Sequence, residues 1–377
     1  MVADSKRRAE RVFELIGHDE KQKVKPSAII LANGVEPHID SSFFYITGFP
    51  YGLFEGAFLI LRSGGRLSLI TSALEEPIAR AHAQKGLEIY VESDPKAIKT
   101  RLKKILRGDA KKIGINSSEL SYRTFTQLRS MLGGGSKFQD ASRAFEEARL
   151  IKDSDEVALI QKACDIASKT YAKVPSMLKE GVTESTVAAK MAYEMQRLGG
   201  SGVSFETILA FGSNSAQPHY SAGKTRLKSG QFVLSDYGTK YERYCSDITR
   251  TLVFGNASKR QKRMYEVVKD ALETAKDFCT PEHAGDEVHG KVANLIDSTE
   301  FKGRFIHSTG HSLGLNVHDG AGLTLKNKNK LKPGMVVTVE PGIYIPGFGG
   351  VRIEDDILIT KGKPRVLTSA TRELIEV

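Results

Sequence analysis

The chain has no tryptophan, only three cysteines and no long hydrophobic run. Cys164, Cys245 and Cys279 are too few and too scattered for a disulfide framework, and none belongs to a C-x-x-C pair. Each reads as a small buried residue. Cys245 stands two residues before Asp247, but no second thiol accompanies it as a metal ligand. No segment approaches the roughly 20 apolar residues of a membrane span. Runs such as 57–61 (AFLIL) are strand-sized. The opening MVADSKRRAERVFELI is charged and lacks an apolar signal core. It reads as the first helix of a domain, and the protein is expected in the cytoplasm. Absent tryptophan with 27% charged residues is compatible with a thermophile.

At 377 residues and 40% hydrophobic, the chain is long enough for two or three domains with a sizeable core. The net charge of +10 raises the question of a nucleic-acid partner. The excess is spread over separate clusters. Lys103, Lys104, Arg107, Lys111 and Lys112 form one, and Lys326, Lys328, Lys330 and Lys332 alternate in another. Alternating lysines guard sheet edges more often than they bind phosphate, so a solvated surface is the preferred reading. Neither a nucleic-acid nor a membrane partner is expected.

Residues 1–148 alternate between helical and strand patterns, which argues an α/β domain. Strands are expected within 25–33, 56–62, 65–71, 87–91 and 112–115. The second and third, 56–62 and 65–71, flank the turn Arg62-Ser63-Gly64-Gly65 as a hairpin. Helices are expected at 75–84, 97–106 and 121–132, and 43–49 is apolar and aromatic. Residues 149–377 read as one further domain of mixed helices and strands. Its helices are expected at 155–178, 183–198, 258–279 and 286–298, the first opened by the start signal Asp153-Ser154-Asp155-Glu156.

The C-terminal half carries five charged residues in distinctive contexts. Asp236 lies in SDYG, Asp247 in CSDITRT, His311 in TGHSLGLNVH, Glu340 in TVEPG and Glu354 in VRIEDD. Carboxylates with an imidazole suit divalent metals of intermediate hardness: manganese, cobalt, iron or zinc. A carboxylate can bridge two metals, so a site this anionic can hold a pair. Such a pair polarises a carbonyl and supplies hydroxide near neutral pH. Each residue alone would read as a turn, cap or core group; the joint pattern favours metal. A hairpin around 237–246 would present both aspartates on one face. Strand parity puts Arg352 beside Glu354, as a partner for a ligand carboxylate. Gly310 and Gly314 flank His311 and allow close approach to a metal or substrate.

These contexts, in this order and spacing, resemble the pita-bread metallopeptidases, in the branch of Xaa-Pro dipeptidase (prolidase) and aminopeptidase P. The motifs cover roughly 200–360, and the segment before 150 is similar to that branch's creatinase-type N-terminal domain. The resemblance implies an α/β N-terminal domain followed by an α+β pita-bread domain. It implies two divalent ions, manganese or cobalt foremost, with Asp247 and Glu354 as bridges. It also implies a homodimer in which the N-terminal domain restricts access to the partner's site. The expected substrates are Xaa-Pro dipeptides or short proline-containing peptides. His219 and His318 match the histidines that steady substrate and tetrahedral intermediate, and Glu340 would carry the proton of the attacking water. Phe205 and Val317 match the apolar wall for the proline ring, although ordinary core is an equal reading for both. His307 is weighed equally between core and site. Proline's tertiary peptide nitrogen has no N–H, which general peptidases need.

One departure bears on specificity. Asp319 stands where the family often has glutamate, no proline follows, and no arginine occurs between His318 and Arg352. A dipeptidase needs a cation near the product carboxylate, so aminopeptidase P stays open beside prolidase. Methionine aminopeptidases lack the N-terminal domain, and creatinase works without metal. A non-catalytic binding module is the alternative of another class. Such relatives lose ligands, whereas all five are present here.

Overall fold

A computed structural model describes residues 4–17, 25–107 and 111–377. The chain divides into two compact units, Met1–Arg149 and Leu150–Val377.

The first unit is built on a six-stranded sheet. Its strands are β1 (Ala28–Ala32), β2 (Phe58–Arg62), β3 (Arg66–Thr71), β4 (Leu87–Val91), β5 (Lys112–Ile115) and β6 (Lys137–Asp140), in spatial order β4-β3-β2-β1-β5-β6. The β2–β3 pair is the antiparallel hairpin its Ser-Gly-Gly turn predicts. The helices are α1 (Ser5–Gly17), α2 (Ser41–Thr47), α3 (Glu76–His82), α4 (Pro95–Ile105), α5 (Tyr122–Leu132) and α6 (Ser142–Leu150). The first three residues of the expected opening helix lie outside the described residues. Ile30, Ile60, Ile113, Leu102 and Leu128 join sheet, α4 and α5 in one core. The apolar stretch after residue 43 is helix α2. Asp40 caps it, accepting the Ser42 N–H at 2.8 Å, and Gly48 closes it at φ 67°.

The second unit opens with α7 (Ser154–Tyr171), started by a capping box between Asp153 and Glu156. The helix expected to run to 178 breaks after Tyr171 and resumes as α8 (Val174–Met177). Pro175 explains the break: it has no N–H, and its ring clashes with the carbonyl four residues back. Next come α9 (Glu184–Arg197) and the strands β7 (Gly202–Val203), β8 (Ile208–Phe211), β9 (Gln231–Tyr237), β10 (Thr239–Tyr241), β11 (Tyr244–Cys245) and β12 (Ile248–Phe254). Helices α10 (Lys259–Phe278) and α11 (Gly285–Asp297) follow. The chain finishes through β13 (Val336–Val339), β14 (Gly342–Ile345), β15 (Gly349–Arg352), β16 (Asp355–Leu358) and β17 (Arg365–Val366). The link between β9 and β12 is more than a turn, because β10 and β11 form a small sheet of their own with β7.

Two cores hold these layers. Helices α7 and α9 bury Ile166, Val187, Met191 and Met195 against Leu209, Val233 and Leu252. Helices α10 and α11 bury Val268, Leu272, Val288, Val292 and Ile296 against Val337, Val351 and Ile357. The i, i+4 spacing of Val288, Val292 and Ile296 is the stripe a helix needs to cover a sheet. The two sheets β12-β9-β8 and β13-β16-β17 thereby lie between helical layers, and their strand ends carry the charged residues singled out above. Among the described residues, no helix is long and apolar enough to cross a membrane.

Asp40 yields a prediction for the first unit. Burial, reinforced by Glu119, pushes its carboxyl up to about 7, although Asn116 Nδ2 donates to both oxygens. A raised folded pKa means that its stabilising contribution is complete below the unfolded value near 4 and is lost as pH rises through about 7. Asp40→Asn keeps an acceptor for the cap and cannot ionise. Its melting temperature relative to wild type should therefore climb between pH 4 and pH 8. A difference that stays flat in calorimetry across that range would overturn the assignment.

Candidate active site

Strand register explains why residues far apart in sequence meet. In the β9/β12 ladder, Asp236 is paired with Thr249, and Asp247 stands just before β12 begins. In the antiparallel β13/β16 ladder, Val339 is paired with Asp355, so Glu340 and Glu354 lie just beyond the same end of the ladder. The Glu354 N–H donates to Thr249 O at 3.1 Å and ties the second sheet to the first. Beneath this seam lies Arg250, with a side chain 0% exposed. Its guanidinium donates to Asp355 Oδ1 at 2.8 Å and to the carbonyls of Thr249, Glu354, Ala370 and Thr371. One cation thus gathers both ligand-bearing segments from below.

Above the seam is a cavity of about 290 Å³. Its lining includes all ten residues singled out from the sequence: Phe205, His219, Asp236, Asp247, His311, Val317, His318, Glu340, Arg352 and Glu354. His307 lines it as well. A larger cavity of about 1000 Å³ lies in the first unit and is lined by none of them.

Asp247, His311 and Glu354 each offer one ligand atom, and these atoms lie within 4.8 Å of one another. His311 Nε2 is 3.5 Å from Asp247 Oδ2 and 3.6 Å from Glu340 Oε1. His311 Nδ1 faces the carbonyl of Ser312 at 3.3 Å. A proton on Nδ1 leaves the Nε2 lone pair turned toward the carboxylates. Asp236 belongs to the same cavity through Arg352, whose Nη2 donates to Asp236 Oδ2 at 2.5 Å.

Negative charge is crowded here. Burial first, and Asp236 second, push the Asp247 carboxyl well above the usual carboxylate range. Burial and Asp247 do the same to Glu354. Burial raises Glu340 against the pull of His311. Arg352 is the single lysine or arginine among the described lining residues, and it stays charged. Its burial opposes the charge, but Tyr344, Asp236 and Glu340 together outweigh that. Among the described residues, Asp236 Oδ1 and Asp247 Oδ1 are buried with no hydrogen-bond donor. Orphaned carboxylate oxygens beside an imidazole, with no thiolate in the lining, are a donor set suited to divalent cations. The residues fit a metal.

The cavity also has a supporting framework that sequence reasoning missed. Thr249 Oγ1 donates to Glu354 Oε2 at 2.7 Å and accepts from Arg352 Nε at 3.1 Å. Thr338 Oγ1 donates to Glu340 Oε1 at 3.2 Å and accepts the His311 N–H at 3.0 Å. Each threonine stands two residues from a ligand candidate, Asp247 or Glu340, so strand parity was the available signal. Tyr344 accepts from Arg352 Nη1 at 2.7 Å, and its hydroxyl is also 2.8 Å from His307 Nε2. Burial, with Arg352 next, lowers His307 to about 4. His318 packs edge-on to His311 with ring centroids 4.2 Å apart. Partial burial first, and His311 next, lower its pKa.

Gly310 has a packing reason to be small, because Thr338 O occupies the space a Cβ would fill. Asp319 is buried, takes the Leu315 N–H at 3.2 Å and does not itself line the cavity, whereas its neighbours Val317 and His318 do.

Removing Arg250 should be costly. Arg250→Met removes a donor from five oxygens and leaves the buried Asp355 without this cation, and breaking a buried pair of this kind costs about 3–5 kcal/mol. Urea denaturation reads that loss; a change below about 1 kcal/mol would show that the guanidinium does not hold the seam.

Residues 158–361 match the model of metallopeptidase family M24, and 22–151 match the creatinase/prolidase N-terminal domain. The Xaa-Pro dipeptidase of Pyrococcus horikoshii is 34% identical over 366 residues, 97% of this chain and 99% of that relative. The structure of an Xaa-Pro dipeptidase from Bacillus anthracis superposes with a TM-score of 0.88 at 31% identity, covering 99% of each chain. That of an X-Pro aminopeptidase from Thermotoga maritima gives 0.87 at 28% identity, over 97% of this chain and 100% of that one. The expected architecture therefore holds, a creatinase-type N-terminal domain followed by a pita-bread domain, and the chain belongs to metallopeptidase family M24, in its prolidase and X-Pro peptidase type.

Proposed function

We propose that this metallopeptidase hydrolyses the peptide bond preceding proline and acts foremost as an Xaa-Pro dipeptidase. Two divalent ions, manganese or cobalt, are held by Asp236, Asp247, His311, Glu340 and Glu354. The observation that carries the reading is the convergence of these five residues on one cavity whose four carboxylates share a single arginine among the described lining residues. The catalytic machinery lies in 149–377, with 1–148 as an accessory domain.

When bound, such ions polarise the scissile carbonyl and lower the pKa of water to near neutrality. The remaining work falls to side chains. Glu340 accepts the proton of the attacking water and passes it to the leaving imino nitrogen. That nitrogen carries no hydrogen in the peptide, so its protonation must come from the enzyme. His318 and His219, which line the cavity, donate to the oxygen that gains charge in the tetrahedral intermediate. Phe205 and Val317 give the proline ring an apolar wall. Arg352 holds Asp236 directly and Glu354 through Thr249, which keeps both carboxylates oriented.

A second reading, Xaa-Pro aminopeptidase, draws on one observation. Arg352 has each of its three nitrogens engaged, by Thr249, Tyr344 and Asp236, and is 2% exposed. No other lysine or arginine stands among the described lining residues to meet a product carboxylate. Peptides extended beyond proline have no carboxylate at that point.

The deciding experiment is release of proline or Xaa from matched Xaa-Pro and Xaa-Pro-Yaa peptides. It is run on metal-stripped protein and again with manganese or cobalt restored. Metal-dependent cleavage of the dipeptide is expected, together with a higher melting temperature on reloading. Preference for the longer peptide would favour the aminopeptidase reading, and no cleavage of either would sink both. His318→Ala should lower kcat by about 10²–10³-fold, the cost of losing one oxyanion donor, with bound metal unchanged. Loss of metal in that variant would make His318 a ligand instead.

A further inference from the structure

Asp356 is a buried carboxylate for which the chemistry above has no task. It is 0% exposed and does not line the cavity. It lies on β16, two residues after Glu354. Its Oδ2 accepts the main-chain N–H of Asp247 at 3.0 Å and the thiol of Cys164 at 3.2 Å. Its Oδ1 is buried with no donor among the described residues.

The Asp247 contact matters because of where the β9/β12 ladder stops. The first paired residue is Ile248, opposite Tyr237. Asp247 lies beyond that pairing, so no strand partner takes its N–H. The side chain of Asp356 takes it instead, from 109 residues away in sequence. The cross-strand partner of Asp356 is Thr338, whose hydroxyl holds both Glu340 and His311. Asp356 therefore adjoins both halves of the ligand set without entering the cavity. A buried charge kept beside other carboxylates is unfavourable by itself. Its position at the one main-chain donor left open next to Asp247 gives it a purpose.

We propose that Asp356 is a positioning residue for metal binding: its hydrogen bond to the Asp247 main chain decides where the Asp247 carboxylate stands. This rests on the ligand assignment above and makes no contact with substrate. Outer partners of this kind typically change metal affinity by about 10–100-fold.

The test is manganese titration of the full chain by calorimetry, with low-temperature electron paramagnetic resonance to detect a spin-coupled ion pair. Asp356→Ala should bind manganese about 10–100-fold more weakly, lose the coupled signal, and lower kcat with KM little changed. Asp356→Asn keeps an acceptor oxygen for the Asp247 N–H and should restore both affinity and signal. If Asp356→Ala does not fold, Asp356→Asn carries the test alone, and native affinity in it supports the proposal. Native affinity and a native signal in folded Asp356→Ala would overturn it while leaving the peptidase reading intact. A loss in Asp356→Asn would also overturn it, because charge rather than the hydrogen bond would then be what matters. Wild-type protein that binds no manganese, cobalt or zinc would instead sink the ligand assignment itself.

Discussion

Four carboxylates share a cavity in which the single arginine of the described lining is already committed, and the catalytic unit is organised around that imbalance. Ionised groups this close repel one another, and burial removes the water that would screen them. Asp247, Glu354 and Glu340 are accordingly pushed toward their protonated forms. Divalent cations relieve the same crowding and use the same oxygens. Metal binding and proton release are thus linked in this site, as they are wherever ligands must deprotonate to bind.

Holding such a site open requires a rigid frame, and the frame consists of fixed hydrogen bonds. Arg250 secures it from below, joining β12 to the Glu354 segment through backbone carbonyls and Asp355. Arg352 secures it within the cavity, joining Asp236, Tyr344 and Thr249. Thr249 relays the Arg352 contact to Glu354, while Thr338 separately holds Glu340 and His311. The two arginines thus do different work. Arg250 is neutralised by Asp355 and carbonyls, whereas Arg352 lends its charge to the ligand carboxylates.

Much of this was legible in the chain. The capping box at Asp153, the Ser-Gly-Gly hairpin and the stripe Val288, Val292, Ile296 are local signals, and local hydrogen bonding or a single helix face suffices to read them. The five ligand candidates were legible because each sits in a short context with unusual neighbours. The supporting residues were not. Thr249, Thr338 and Asp356 lie in the same short contexts as the ligand candidates, but what sets them apart is the residue opposite them in a ladder. The break after Tyr171 was a local signal overlooked, since Pro175 announces it. The packing of Gly310 against Thr338 and the inward turn of Asp319 depend on contacts with no trace in their own segments.

By itself, the sequence determined the chemistry available to this protein: carboxylates and imidazoles in a fixed order, no thiolate pair, no membrane-length apolar run, and enough periodic apolar residues to build two units. Tertiary structure alone decided that Asp236, Asp247, His311, Glu340 and Glu354 face one cavity, and which groups orient them. The reason is one of range. Periodicity and capping act over a few residues, whereas charge crowding and its relief by Arg352 act between segments about a hundred residues apart, which only strand pairing brings within hydrogen-bond distance.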